Sequence, residues 1–284
     1  MQVEKTIEAV RKFVAQVREE GKTIGLVPTM GALHAGHVSL IEAAVAGCDF
    51  VVVSIFVNPT QFGPAEDMEK YPSDFAGDVE ICEKAGAGLV FAPTLEAMYP
   101  EKNITWVTVE KLTENLCGRF RPGHFRGVTT VCSKLFNIVG PDIAFFGAKD
   151  AQQALVIKRM VKDLNMPLEI EVCPTVREKD GLVVSSRNQY LNDDERKDAA
   201  LLYVALGKCE ELILDGCRDC AKLIEAMQQV LASSPLIQIE YVNIVNPHNL
   251  EDIDVIEDKG LVAMAVRVGT TRLIDNIFAD LNKQ

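Results

Sequence analysis

Two of the four histidines of the chain lie three residues apart, in Met30-Gly31-Ala32-Leu33-His34-Ala35-Gly36-His37. The octapeptide follows a short apolar stretch ending in Pro28-Thr29 and precedes a segment of helical periodicity. A helix N-terminus offers unpaired N–H groups and the positive end of a dipole, which suits an anion. Gly36 removes a side chain where a phosphate must come close. Imidazoles at this place can donate hydrogen bonds to phosphate oxygens as negative charge builds there. Two readings compete with this one. A metal site is the first, but no H-E-x-x-H pattern accompanies the pair. Chance placement at a helix start is the second.

Four further segments carry candidate chemistry. Asn58-Pro59-Thr60-Gln61-Phe62-Gly63 follows a second apolar stretch. In an open α/β sheet, ligands bind beyond the carboxyl ends of strands. Asn58 and Gln61 would there bind hydroxyls or carboxylates without bringing charge; otherwise they are turn residues. Residues 119–127 hold Arg119, Arg121, Arg126 and His124, a local reversal of sign in an acidic chain. They suit a carboxylate or phosphate, or form a loop of solvated charges. In Gly147-Ala148-Lys149-Asp150, another strand end runs into a helix. Lys149 can meet phosphates, Asp150 can cap, and Gln153 lies one turn further on; plain capping is the alternative. Val184-Ser185-Ser186-Arg187-Asn188 offers two hydroxyls and a guanidinium, which suit a polyphosphate.

These segments need a scaffold, and the hydrophobic pattern supplies one. Strands are predicted at residues 23–27, 50–57, 88–92, 142–146 and 168–173, with a short extra strand at 104–109. Helical patterns cover residues 38–45, 77–85, 127–139 and 150–164. Such alternation predicts an α/β fold, a Rossmann-like parallel sheet with helices on both faces. After Pro174 the pattern changes. Lys179-Asp180-Gly181 signals a hairpin. Asn192 is a predicted N-cap for a helix running to about residue 214, and a second helix covers residues 218–231. Apolar alternations at 237–245, 261–268 and 272–277 then complete a smaller α+β domain. We place the domains at residues 1–175 and 176–284, with the second acting as a lid.

Composition sets the outer limits. The chain has 284 residues and 29 Lys and Arg against 41 Asp and Glu, a formal net charge of −12. That argues against broad nucleic-acid binding, which rests on basic residues neutralising phosphates. No apolar run is long enough to span a bilayer. Residues 1–13 alternate charged and apolar types and lack a signal-peptide h-region. The eight cysteines are scattered and read as reduced thiols of a cytoplasmic protein. Cys217 and Cys220 form a C-x-x-C, read as two positions of an amphipathic helix because no second pair has zinc-ribbon spacing.

Taken together and in order, PTMGALHAGH, VNPTQFG, RPGHFRGV, FFGAKDAQQ and VSSRN resemble the pantothenate synthetase family, the pantoate–β-alanine ligases. The resemblance covers nearly the whole chain. The family shares a nucleotidyl-transfer fold with class I aminoacyl-tRNA synthetases, whose HIGH and KMSKS signatures the H-x-G-H and S-S-R elements resemble. It implies condensation of pantoate with β-alanine, using ATP and Mg²⁺, through a pantoyl adenylate, by a cytoplasmic homodimer. By position, Met30, Gly31, Ala32, Leu33, His34, Ala35, Gly36 and His37 would hold ATP, with His37 and His34 catalytic at the phosphates. Gly147, Ala148, Lys149 and Asp150 would complete that site, with Lys149 catalytic. Val176 would approach adenine, and Val184, Ser185, Ser186 and the catalytic Arg187 would close on the triphosphate. Gln61 and Gln153 would bind pantoate, Gln61 would also serve β-alanine, and Asn58 and Arg121 are further substrate-binding candidates. The resemblance identifies no metal ligands. Two departures stand out: Val184 where many members have Met, and Cys117 where some have Glu.

Two alternatives differ in what they need. A nucleotidylyltransferase moving AMP onto a phosphate would share the histidines but not need Gln61 and Gln153. A non-catalytic nucleotide-binding module would leave ATP intact. A nicotinamide dehydrogenase is disfavoured, since no G-x-G-x-x-G follows the first strand.

Overall fold

A computed structural model of the chain describes residues 1–64 and 66–283. They form two compact units, one made of Met1–Glu110 and Arg121–Thr175, the other of Lys111–Phe120 and the chain from Val176 onward.

Along the first stretch run β1 (Gln2–Glu4), α1 (Ile7–Glu19), β2 (Ile24–Thr29), α2 (Ala35–Gly47), β3 (Phe50–Ile55), α3 (Phe75–Lys84), β4 (Leu89–Phe91) and α4 (Leu95–Met98). After α5 (Cys117–Phe120), which belongs to the second unit, the first resumes with α6 (His124–Val139), β5 (Ile143–Gly147), α7 (Ala151–Asp163) and β6 (Glu169–Cys173). The six strands form one parallel sheet in the order β1-β4-β3-β2-β5-β6. Helices cover both faces, so β2 and β3 are apolar almost throughout instead of alternating. On one face Leu26 and Val52 pack with Val10 and Val14 of α1, Leu135 and Phe136 of α6, and Ile157 and Met160 of α7. On the other, Val27 and Val53 pack with Leu40, Ile41 and Ala44 of α2 and Cys82 of α3. Each fully buried side chain of this kind contributes roughly 1.5–3 kcal/mol.

The functional end of this unit follows from its winding. From β2 the chain proceeds through β3 and β4 to one side, whereas β5 and β6 lie on the other. β2 and β5 pair at two positions only, Gly25 with Ile143 and Leu26 with Ala144. Beyond those pairs the two strands lead into loops at the switch point, where doubly wound sheets bind ligands.

The second unit has a three-stranded antiparallel sheet, β7 (Ile237–Val245), β8 (Lys259–Val268) and β9 (Thr271–Asp280). Besides α5, its helices are α8 (Asp193–Ala199), α9 (Leu201–Leu214) and α10 (Cys220–Leu231). Leu202, Leu206, Leu223, Met227, Val262, Met264 and Val266 form its core.

The five main predicted strands of the first unit are present, each within about two residues of its expected ends. Residues 104–109 are not a strand. The Val107 N–H donates to Thr130 Oγ1 at 3.1 Å and its carbonyl accepts from Thr129 Oγ1 at 2.6 Å, so side chains of α6 take the place of a neighbouring strand. β1 has three residues, too few to show a period in the sequence. The predicted helix after Asn192 divides at Ala200, where the bonding tightens to Ala200 N–H with Lys197 O and Tyr203 N–H with Ala200 O. Asn192 does cap, and it shares a capping box with Glu195. Of the C-x-x-C pair only Cys220 is helical; Cys217 precedes α10. Among the described residues no helix is long and apolar enough to cross a membrane.

Candidate active site

The segment between β2 and α2 turns sharply. Gly31 has φ 85° and Ala32 φ 50°, both in the left-handed region. An alanine held there is strained, and Asp78 at the start of α3 holds it. Its Oδ2 accepts from the Ala32 N–H at 3.0 Å and its Oδ1 from the Leu33 N–H at 2.7 Å. A β-carbon on Gly31 would lie 2.9 Å from Asp78 Oδ2, so this turn requires glycine.

The turn delivers His34 as the N-cap of α2. Its Nδ1 accepts from the Gly36 N–H at 3.2 Å, while its own N–H donates to Nδ1 of His37 at 3.3 Å. A neutral imidazole carries one proton, so both rings carry it on Nε2. The rings lie 4.0 Å apart. Burial pushes the His37 imidazole down to about 3, helped by His34 and Lys149. Burial, then Lys149, brings His34 down to about 4. Both are therefore neutral donors at physiological pH. A β-carbon on Gly36 would lie 3.0 Å from the His34 ring, which gives that glycine a second reason besides close phosphate approach.

Lys149 and Asp150 come from the turn of residues 148–150 that ends β5, the sheet neighbour of β2. Lys149 Nζ lies 3.4 Å from Asp150 Oδ1. Both act electrostatically on His34 and His37, so the two strand ends converge. Gly147 closes β5, Ala148 opens the turn, and Gln153 is half-buried in the first turn of α7.

Gln61 is fixed by its surroundings. It ends the short turn Pro59–Gln61 after β3. Its Oε1 accepts from Asn58 Nδ2 at 3.0 Å, and its Nε2 donates to Met30 Sδ at 3.1 Å. The amide thus lies beside the residue that begins the histidine loop. Asn58, expected as a substrate donor, is 1% exposed and wholly engaged within the protein. Its Nδ2 also donates to Gly127 O, and its Oδ1 accepts from Thr60 and from the Tyr99 hydroxyl. Its side chain supports Gln61, with the amide nitrogen and oxygen both bonded within the protein. Arg121, also expected to contact substrate, is held by Glu66 in a two-point ion pair through Nε and a terminal nitrogen. The same guanidinium meets His124 Nε2 at 3.2 Å.

In the second unit Val176 and Val184 are brought together by a hairpin bond, Val184 N–H to Val176 O at 3.1 Å. Ser185 then caps the turn Ser186–Tyr190, its Oγ accepting from the Arg187 N–H. Ser186 is buried.

Asp78, Glu66, Tyr99 and the role of His124 were not legible in the sequence. Asp78 and Glu66 are single acids among 41, and only the fold brings them to the loops they hold. The clustering of Arg121 with His124 was a signal, but its partner is an acid of this chain.

Comparison with known proteins bears on the family and the fold. The family model for pantoate-beta-alanine ligase matches residues 2–278. The chain belongs to the pantoate–β-alanine ligase family. Membership makes it a ligase of pantothenate synthesis. It is 56% identical over 271 residues to a pantothenate synthetase of Thermoanaerobacter sp. (strain X514), covering 95% of this chain and 96% of that one. It is 54% identical to that of Moorella thermoacetica, covering 99% and 100%. Its fold is similar to the crystal structure of pantothenate synthetase from Thermus thermophilus, with a TM-score of 0.93, 43% identity, and 98% and 99% of the chains covered. The pantoate-beta-alanine ligase of Francisella tularensis, solved as a complex with beta-gamma ATP and beta-alanine, has a TM-score of 0.80 and 32% identity, with 98% and 97% covered.

Proposed function

We propose that the chain condenses pantoate with β-alanine in two steps through a pantoyl adenylate, taking ATP as its magnesium complex. In the first step a pantoate carboxylate oxygen attacks the α-phosphorus of ATP; the new O–P bond replaces the bond to pyrophosphate, which leaves. In the second, the β-alanine amine attacks the acyl carbon and loses a proton. The C–N bond replaces the C–O bond, and AMP leaves.

The observation that carries this reading is the pair of neutral Nε2–H donors at the start of α2. The transferred phosphate gains charge at its oxygens, and fixed donors there stabilise that charge without reorganising. A neutral ring also leaves its charge unchanged when ATP departs. Lys149 supplies the positive charge between the two strand ends. Ser185, Ser186 and Arg187 are assigned to the triphosphate, with Val176 and Val184 toward the nucleoside. Gln61 and Gln153 are assigned to pantoate, and Gln61 also to β-alanine. The Francisella tularensis complex supports ATP and β-alanine as substrates.

Magnesium fits as a passenger on ATP. Among the described residues no three His, Cys, Asp or Glu stand together to hold an ion. Mg²⁺ commonly keeps several waters and binds phosphate oxygens with one or two carboxylates. Asp150 is the carboxylate at the β5 end. The ion would neutralise phosphate charge. A cytoplasmic homodimer completes the proposal; sedimentation at micromolar concentration checks the dimer.

Isotope exchange tests the reaction. Labelled pyrophosphate should enter ATP when pantoate is present and β-alanine absent. Exchange that strictly requires β-alanine would exclude a free-standing adenylate step.

A further inference from the structure

His124 opens α6 and takes no part in the phosphate site. Its Nδ1 lies 2.8 Å from the main-chain oxygen of Gln61. A carbonyl oxygen only accepts, so Nδ1 carries the proton. Its Nε2 faces an Arg121 nitrogen at 3.2 Å. A guanidinium only donates, so Nε2 presents its lone pair. The tautomer is thus fixed from both sides, and it is opposite to that of His34 and His37. Burial and then Arg121 bring this imidazole down to about 4, consistent with a neutral link. Glu66 anchors Arg121 from its far side.

The loop that His124 grips is also docked by backbone. A β-carbon on Gly127 would lie 2.3 Å from Thr60 O and 2.7 Å from Gln61 Cα. The turn of α6 and the Gln61 turn therefore touch main chain to main chain. Asn58 donates to Gly127 O and to Gln61 Oε1, tying the same two elements. The Gln61 carboxamide is held by Asn58 and Met30, and its main-chain oxygen by His124 at 2.8 Å and, more weakly, by Arg121 at 3.4 Å.

We infer that His124 is a positioning residue for pantoate binding. The chain Glu66–Arg121–His124 fixes the main-chain oxygen of Gln61 and thereby the angle at which its carboxamide meets the substrate. This rests on the assignment of Gln61 to pantoate. It also gives Arg121 a function that does not require contact with the substrate.

Two substitutions separate the ring nitrogens. In His124→Asn the amide nitrogen takes the place of Nδ1–H and keeps the bond to Gln61. In His124→Gln the amide sits near Nε2 and that bond is lost. One such bond is worth roughly 0.5–1.5 kcal/mol, or about 2–10-fold in affinity. His124→Gln should therefore raise the pantoate KM about 2–10-fold and leave the ATP KM unchanged, whereas His124→Asn, which keeps the Gln61 bond and loses only the contact with Arg121, should raise it no more than about twofold. Equal effects of the two variants, or parallel rises in both KM values, overturn the inference, because loss of packing alone would act so. Gln61→Ala controls for the underlying assignment. The Gln61 side-chain amide resonance, identified by its loss in that variant, should move further in His124→Gln than in His124→Asn. If it moves so while Gln61→Ala leaves the pantoate KM unchanged, positioning of Gln61 stands and its assignment to pantoate falls. If the resonance stays put in His124→Gln, positioning itself is refuted. Should His124→Gln not fold, Glu66→Ala reads the outer end of the chain. It should raise the pantoate KM about twofold with the ATP KM unchanged, and no change would count against the chain.

Discussion

The main-chain N–H of His34 donates to Nδ1 of His37, and the ring of His34 accepts in turn from the Gly36 N–H in the first turn of the same helix. This reciprocal cap does what a Ser–Glu capping box does elsewhere, and it leaves two N–H groups free to face an anion. Which nitrogen carries the proton is thus a property of the helix start.

That geometry predicts which substitutions are tolerated. His37→Gln keeps a donor near Nε2, whereas His37→Asn keeps only the group facing His34. Removing an oxyanion-type donor commonly lowers kcat by about 10²–10³-fold. His37→Asn and His37→Ala should show losses of that order, and His37→Gln a smaller one. Steady-state kcat with saturating ATP and pantoate measures it; equal loss in Gln and Asn variants would show that Nε2–H is not the working group.

The histidines also set a pH dependence. A free histidine titrates near 6.5, whereas burial brings His37 to about 3 and His34 to about 4. Between those values and 6.5 the unfolded chain binds more protons than the folded one. Stability from these groups is therefore fully present above 6.5 and falls as pH drops through that window. Ring-proton NMR should show no titration of either residue between about pH 8 and about pH 5. A step centred near 6.5 would mean that the rings are exposed.

Asp78 carries the strained turn ahead of the histidines. Both of its oxygens accept, and an asparagine has one acceptor only. Asp78→Asn should lower stability by roughly 1.5–3 kcal/mol, the worth of a hydrogen bond to a charged group. The ATP KM should rise with it, since the loop that loosens holds His34. Denaturant unfolding read beside ATP affinity checks the pair of effects. Lost stability with unchanged ATP binding would separate Asp78 from the site.

Much of this was legible beforehand, for a physical reason. The octapeptide lies between an apolar stretch and the helical periodicity of residues 38–45, and such local patterns survive in a single sequence. The strands β2 and β3 are nearly unbroken apolar runs, which announce a sheet covered on both faces. Asn58 and Arg121 read as open polar groups because the residues that occupy them, Tyr99, Gly127 and Glu66, lie 41, 69 and 55 positions away. Residues 104–109 alternate like a strand, yet the main chain of Val107 bonds to the side chains of Thr129 and Thr130. No local pattern encodes such distant partners.

Arg187 bears on one half of the reaction. A guanidinium assigned to the triphosphate loses that ligand once pyrophosphate has left. Arg187→Ala should slow adenylate formation by about tenfold or more, the equivalent of 1.4 kcal/mol, and leave amine attack on preformed adenylate nearly unchanged. Single-turnover measurement of each half-reaction decides it; slowing confined to the second would be incompatible with the assignment.

The proposed assignment of Gln153 to pantoate separates the two substrates. It lies in the first turn of α7, past the Lys149 turn. Gln153→Ala should raise the pantoate KM by about 2–10-fold, the loss of one hydrogen bond, and spare ATP affinity. Calorimetric titration with each substrate alone checks it, and equal loss of both would displace the residue from the pantoate site.

The brief pairing of β2 with β5 bears on inhibitor design. The pairing ends at Leu26 and Ala144, and the chain beyond it leads into the turns of Gly31 and Gly147. An inhibitor anchored to main-chain groups of those turns would meet a surface that point substitutions alter little. At Gly31 even a single added carbon collides with Asp78, so escape by mutation there carries its own penalty. Compounds that lean on the side chains of Gln61 or Gln153 would not have that protection.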